Sequence, residues 1–431
     1  MATTYKMNKN NKQLLITTKL MKKTMLFAAI AALVLVAGCA KNIDLAPTAT
    51  TQHAIGFSNY APRSLTKVND TFVSGTSLVE DKTFAVYAWA TPYNNFLGTT
   101  PGTPAFMNPA VVTWKNDTTD GDGNTYEPVR YWPAGDEPDN LSFVAYYPYG
   151  GAGITAPTFT SGVGTYVFAA QTTSAAMVDF LVADVVNDQT YNNTIVSPTY
   201  PGTVKFNFKH QLTKVQFQFK KATGLSNTTV IELAEAKLVN IKTNGTLSAI
   251  YAQNDTPAVN AQGTTTTTWS ARTKADTPFD YDVTLNQTNP STSAPIVLTT
   301  TASTVHQDDI FLMVPQKMVA AGDTDEDSGN TCVAADEQKL VITWNVKVYD
   351  TETHATANGS EGLISTTTNT ANLSFKNNLR TSDDSAAAAA INWAKNQQVN
   401  YTITIGPKPI LFTAEVVAWT TPASEGYFNV Q

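Results

Sequence analysis

Residues able to do chemistry are few in this chain and do not converge. The four histidines, His53, His210, His306 and His354, are far apart, and none has a metal-ligand spacing around it. His210 stands beside Phe208 and Leu212 in an alternating stretch, the setting of a structural side chain rather than a ligand. Asp120-Gly121-Asp122-Gly123-Asn124 opens like a calcium loop, but the required Gly and Glu would fall on Thr125 and Tyr131, so it reads as a glycine-rich turn. Asp323-Thr324-Asp325-Glu326-Asp327 reads as a solvated acidic loop with at most weak cation binding. Trp132 and Tyr147 could stack on a sugar, although aromatic residues on alternating strands are core by default. No GxSxG, phosphate-loop or zinc motif is present. The expectation is a protein without catalytic residues, metal or cofactor.

Of the two cysteines, Cys39 and Cys332, the first ends an ordered series of features. Lys22 and Lys23 are followed by the 11-residue apolar run Leu26 to Val36, then Ala37, Gly38 and Cys39. Basic, apolar and small in that order is the layout of a secretory signal, and the run is short of the ~20 residues that span a bilayer. Val-Ala-Gly-Cys resembles the bacterial lipobox, in which the peptidase needs small residues and the cysteine thiol takes a diacylglyceryl group. Cys39 is therefore the candidate lipidation site, and an ordinary secretory signal ending in Cys is the alternative. Residues 1–20 are polar and basic, and Met21-Lys22-Lys23-Thr24 looks like a signal start, so Met21 rather than Met1 is the expected beginning. A lipidated Cys39 leaves Cys332 without a disulfide partner.

Removing residues 1–38 takes six lysines from the 28 basic residues and no acid, leaving 22 against 35 acidic ones, a formal net charge of −13. An acidic surface argues against nucleic acid and leaves membrane attachment to the lipid.

The elements that must carry these residues read as β throughout. Phe84 to Trp89, Leu141 to Tyr146, Val215 to Phe219 and Val341 to Val348 alternate in the period-two manner of half-buried strands. Val215, Phe217 and Phe219 share one face, with Gln216 and Gln218 on the other. Without regular helical crossovers, sandwiches are expected rather than a parallel sheet. Ala386 to Ala394 is a candidate helix behind Ser385, or a low-complexity loop. A tether over 39–53 leads to a first strand, Ala54 to Tyr60, and residues 187–202 read as a linker before Thr203 to His210.

Tyr131-Trp132-Pro133, Phe143 to Pro148, Asp179 to Ala183, Phe206 to Val215, Phe311 to Gln316, Asn400 to Ile403 and Trp419 follow one another behind the lipobox. In this order they resemble the fimbrillin family of Bacteroidetes, lipoprotein precursors of pilus subunits. The resemblance implies an all-β chain with two transthyretin-like β-sandwich domains in tandem behind a lipoprotein signal peptide: residues 1–38 as extension and signal, 39–53 as lipidated tether, and domains over 54–202 and 203–431. It also implies a mechanism. The precursor is anchored in the outer membrane, a trypsin-like protease cuts beyond the first strand, and the vacated groove takes a strand from another subunit. Arg63, with Lys67 in reserve, is the processing site, and Ile55 and Phe57 are the inward residues of the removable strand. Only 12 residues follow Trp419, with Tyr427, Phe428 and Val430 able to form a short donor strand; otherwise the donor includes Ile410 to Trp419. Expected partners are other fimbrial subunits, the protease, the outer membrane, and a ligand on a host or bacterial surface. The alternative is a tip or anchor subunit, or a surface lipoprotein that binds glycan or another ligand and never polymerises.

Overall fold

A computed structural model describes residues 53–60, 81–91, 103–115, 124–134, 140–170, 177–191, 202–252, 263–274, 281–282, 295–301, 303–304, 311–379, 392–407 and 411–418. Up to His210 the strands are β1 (Gly56–Tyr60), β2 (Thr83–Thr91), β3 (Met107–Thr113), β4 (Asn140–Tyr147), β5 (Thr158–Thr160), β6 (Val163–Ala169), β7 (Leu181–Ala183), β8 (Val186–Gln189) and β9 (Thr203–His210). There follow β10 (Thr213–Lys221), β11 (Thr229–Val239), β12 (Asn244–Ala252), β13 (Thr264–Thr273), β14 (Tyr281–Asp282), β15 (Ile296–Val297), β16 (Ser303–Thr304) and β17 (Phe311–Met313). The last are β18 (Lys339–Tyr349), β19 (Leu363–Ser374), β20 (Gln397–Ile405) and β21 (Leu411–Ala418), with a short α-helix, α1 (Glu352–Ala357), between β18 and β19 and a 3-10 turn (Ala334–Asp336) before β18. Thr351 caps α1 by accepting from the His354 N–H, and Asn358 ends it in the left-handed conformation.

The strands form four sheets. A seven-stranded sheet runs β1-β9-β7-β4-β2-β3, with β8 beside β4, and a four-stranded sheet runs β13-β12-β6-β5. These two face each other through aromatic side chains: Tyr146 meets Tyr166 edge-on at 5.4 Å, and Phe159 meets Trp89 at 5.1 Å. The second pair consists of β16-β10-β20-β21 with β17 beside β10, and β14-β11-β18-β19 with β15 beside β11. Their common core gathers Phe217, Tyr401, Trp344, Ile342 and Phe375. The chain is thus two β-sandwiches, as the family resemblance implies. Val215, Phe217 and Phe219 are buried while Gln216 and Gln218 are only partly covered, which is the expected register.

Several particulars differ from the sequence reading. β9, expected to open a second domain, is hydrogen-bonded between β1 and β7 in the seven-stranded sheet, and β12 and β13 join β6 in the four-stranded sheet that faces it. Two pairings are parallel, β1 with β9 and β10 with β20. β4 is not half-buried: all eight of its residues are buried, because the four-stranded sheet covers one face and Trp132 and Phe57 pack on Phe143 from the other. The stretch 187–202, read as a linker, begins inside β8. Residues 386–391 lie outside the described residues, while Trp393 forms a bridge with Gln316, so the candidate helix does not reach Ala394.

Candidate functional site

The strand β1 has pairing partners of two kinds. On one side it runs parallel to β9, with Gly56 opposite Thr203 and Phe57 opposite Val204. On the other side no strand among the described residues lies along it; the segment 124–132 clasps it instead. Ala54 bridges Tyr131, the Ile55 N–H donates to Arg130 O at 2.9 Å, and the Trp132 N–H donates to His53 O at 2.9 Å. Tyr126 Oη donates to Ile55 O at 2.9 Å, and Asn124 Nδ2 donates to Phe57 O at 2.5 Å. Burial raises the Tyr126 phenol above its ordinary pKa, so it remains a donor throughout the physiological range.

The alternation of β1 turns Ile55 and Phe57 into an apolar groove, where they are 2 % and 1 % exposed. The Phe57 ring lies 5.2 Å from Tyr126, 5.9 Å from Phe206 and 6.2 Å from Phe143, so its walls come from the clasp, β9 and β4. Gly56 faces the other way, and a Cβ there would stand 2.8 Å from Thr203 Oγ1. Trp132 closes one end of the groove by donating from Nε1 to Gly202 O at 2.9 Å. Gly202 holds a φ of +89°, a conformation that favours glycine. His53 stacks on Tyr191 at 3.8 Å just before β1 begins.

Of the residues expected to act, the structure places Ile55 and Phe57 together. Cys39, Arg63, Lys67, Tyr427, Phe428 and Val430 lie outside the described residues. β21, which contains most of the longer donor candidate, pairs antiparallel with β20 along Gln397–Thr404 and ends its own sheet. The sequence reading missed Asn124, Tyr126 and the closing role of Trp132, for no local pattern announces a clasp assembled 70 residues away.

Trp132 and Tyr147 are 4 % and 1 % exposed and belong to the core, so neither offers a face to a sugar. His210 is buried with Asp179, Nδ1 to Oδ2 at 2.9 Å, in keeping with a structural role. The acidic loop is only partly solvated. Lys242 Nζ reaches Asp325 at 2.8 Å and Asp327 at 2.5 Å, and Arg272 on β13 holds Asp327 at 3.0 Å and Glu326 at 2.5 Å. Lys376 pairs with Asp323. Lys242 and Arg272 thus neutralise the loop, and the loop of the C-terminal sandwich docks on β13 of the N-terminal one. Burial opposes ionisation of Asp325 and Asp327, but hydrogen bonds from Lys242 outweigh it and hold both carboxyls below their ordinary range. Among the described residues no cluster of His, Cys, Asp and Glu is arranged to hold a metal.

The fimbrillin-like family model matches residues 71–419. Among solved structures, a fimbrial protein from Bacteroides vulgatus is similar at 20 % identity and a TM-score of 0.51, over 85 % of this chain and 99 % of that one. The tip fimbrial protein Mfa3 from Porphyromonas gingivalis, solved with a C-terminal truncation, is similar at 10 % identity and a TM-score of 0.35, over 84 % and 99 %. No curated protein sequence matches.

Proposed function

The chain belongs to the fimbrillin-like family, and from that premise we propose that it is a fimbrial subunit assembled by proteolysis-triggered donor-strand exchange. The observation that carries this reading is β1: among the described residues it is an end strand paired along its length with β9 alone, and Phe57 on it and Ile55 just before it fill a groove walled by other segments. Excision after Arg63, or after Lys67, would leave the β9 edge and the groove open together. An incoming strand gains backbone hydrogen bonds from the edge and fit from the groove, which is the physics of β-augmentation. On this reading Cys39 carries the lipid that delivers the precursor to the outer membrane, the processing protease meets it there, and the partners are further fimbrial subunits at the cell surface. The domain division we propose follows sheets rather than chain position, with β9, β12 and β13 in the N-terminal sandwich. The donor is drawn from Tyr427, Phe428 and Val430, since the stretch around β21 is already committed to β20.

The test is to cut the purified precursor after Arg63 and follow its assembly. Ladder-like oligomers that survive mild denaturant are expected, and Arg63→Ala with Lys67→Ala should block them while leaving the fold intact. A cut protein that stays monomeric at high concentration would mean a tip, an anchor, or a surface binder of glycan or another ligand.

A further inference from the structure

Away from the β1 groove, the outward face of the sheet built on β11, β18 and β19 holds a buried acid. The Glu232 side chain on β11 is 3 % exposed, because α1 and the turn after it fold over it. A carboxylate withdrawn from water needs partners. Lys347 Nζ on β18 and Asn358 Nδ2 each donate to Glu232 Oε1 at 2.7 Å, and Asn345 Nδ2 is 3.5 Å from Oε2. Lys347 Nζ also lies 3.4 Å from Asn358 Oδ1, and that oxygen accepts from Tyr349 Oη at 2.9 Å. These contacts fix the amide orientation, since only its NH2 can donate to the carboxylate. Asn358 is held at a φ of 50° with its backbone N–H on His354 O, and Tyr349 is packed with Val230, Ala355 and Leu363. An amine, a carboxamide, a carboxylate and a phenol are thereby fixed around one carbonyl.

We propose that Lys347 and Asn358 join in an intramolecular isopeptide bond, with Glu232 moving the protons and Tyr349 holding the carbonyl oxygen. Glu232 takes one proton from the Lys347 ammonium, which frees the lone pair to attack Asn358 Cγ. The new N–C bond places negative charge on Oδ1, which draws the Tyr349 O–H from its other acceptor, Gly359 O at 3.0 Å, onto Oδ1 at 2.9 Å. Glu232 returns its proton to Nδ2 and takes another from the attacking nitrogen. The Cγ–Nδ2 bond breaks, the carbonyl re-forms and ammonia leaves, carrying the last proton from Glu232 away as ammonium. Atoms and charge balance with no oxidant or co-reactant. The reaction need occur only once in the life of the chain, so fixed proximity suffices to drive a step that is slow between free groups. The product closes residues 347–358 into a ring and binds α1 covalently to β18, independently of how the protein assembles.

A tryptic map of the purified full chain decides the matter. With the bond present, Lys347 is no longer cleaved, and residues 340–376 appear as one peptide lighter by one ammonia. Glu232→Gln should restore cleavage, giving 340–347 and 348–376 at full mass, and Tyr349→Phe should give a mixture of both forms. Full-length cleavage with unmodified peptides in the wild type overturns the proposal, whether or not the variants fold. So does ammonia loss confined to peptide 348–376, which would mark ring closure of Asn358 onto the Gly359 backbone instead.

Discussion

Phe57 packs its ring against Tyr126, Phe143 and Phe206, and Ile55 lies beside it in the same groove. Truncating a buried Phe removes both its transfer energy and the packing around it, so Phe57→Ala should destabilise the precursor by about 3–5 kcal/mol in equilibrium denaturation. Protein already cut after Arg63 should not feel the substitution, because the residue has left with the strand. Equal losses before and after cutting would place Phe57 outside the removable segment. Tyr126 contributes differently, since Tyr126→Phe keeps the ring and deletes the bond to Ile55 O. A loss of about 1 kcal/mol is expected, read as a small shift in midpoint with unchanged slope. Upstream of the first strand, Cys39→Ser should release the protein from the membrane fraction. Retention there would end the lipoprotein reading.

At the scale of elements, β1 is held by its register with β9. Gly56 permits that register, because a larger residue would drive a Cβ into Thr203. Gly56→Val should therefore loosen β1 without touching the core, and hydrogen exchange should rise at Ile55 and Phe57 before it rises at β4. A synthetic peptide of residues 54–60 should bind the cut protein and slow the formation of oligomers, since it restores the original occupant of the groove. A peptide with both Ile55 and Phe57 replaced by Ser should not compete.

Gln52–Gln431 is one compact unit, and its two sandwiches meet at the ion pairs of Asp325 and Asp327 with Lys242 and Arg272. Those carboxyls titrate below their unfolded value, so their stabilisation is complete above the ordinary Asp range near pH 3.9 and is lost as pH falls through the folded value. The unfolding temperature should drop below about pH 4, and Asp327→Asn should flatten that drop while lowering stability at neutral pH. A construction fault would appear in fragments. Residues 54–202 lack β9, β12 and β13, and should give a poorly ordered product by circular dichroism and amide dispersion. A well-folded fragment would show that those strands are dispensable.

Local pattern alone determined the strand character of the chain and the inward face of β10. Each of these rests on neighbours within a few residues, where period-two alternation is complete in itself. The tertiary structure decided which strands share a sheet. Thr203 to His210 alternates in a way that suits either sandwich, and only the pairing with β1 and β7 assigns it to the first. The alternation in Leu141 to Tyr146 implied one wet face, and a second layer of chain removed it. The acidic loop looked solvated because its counter-ions, Lys242 and Arg272, stand more than 50 residues away in sequence. The groove that holds β1 is of the same kind. Two of its residues are legible locally, while its walls come from distant segments that meet only when burial of their aromatic side chains offsets the entropy of bringing them together.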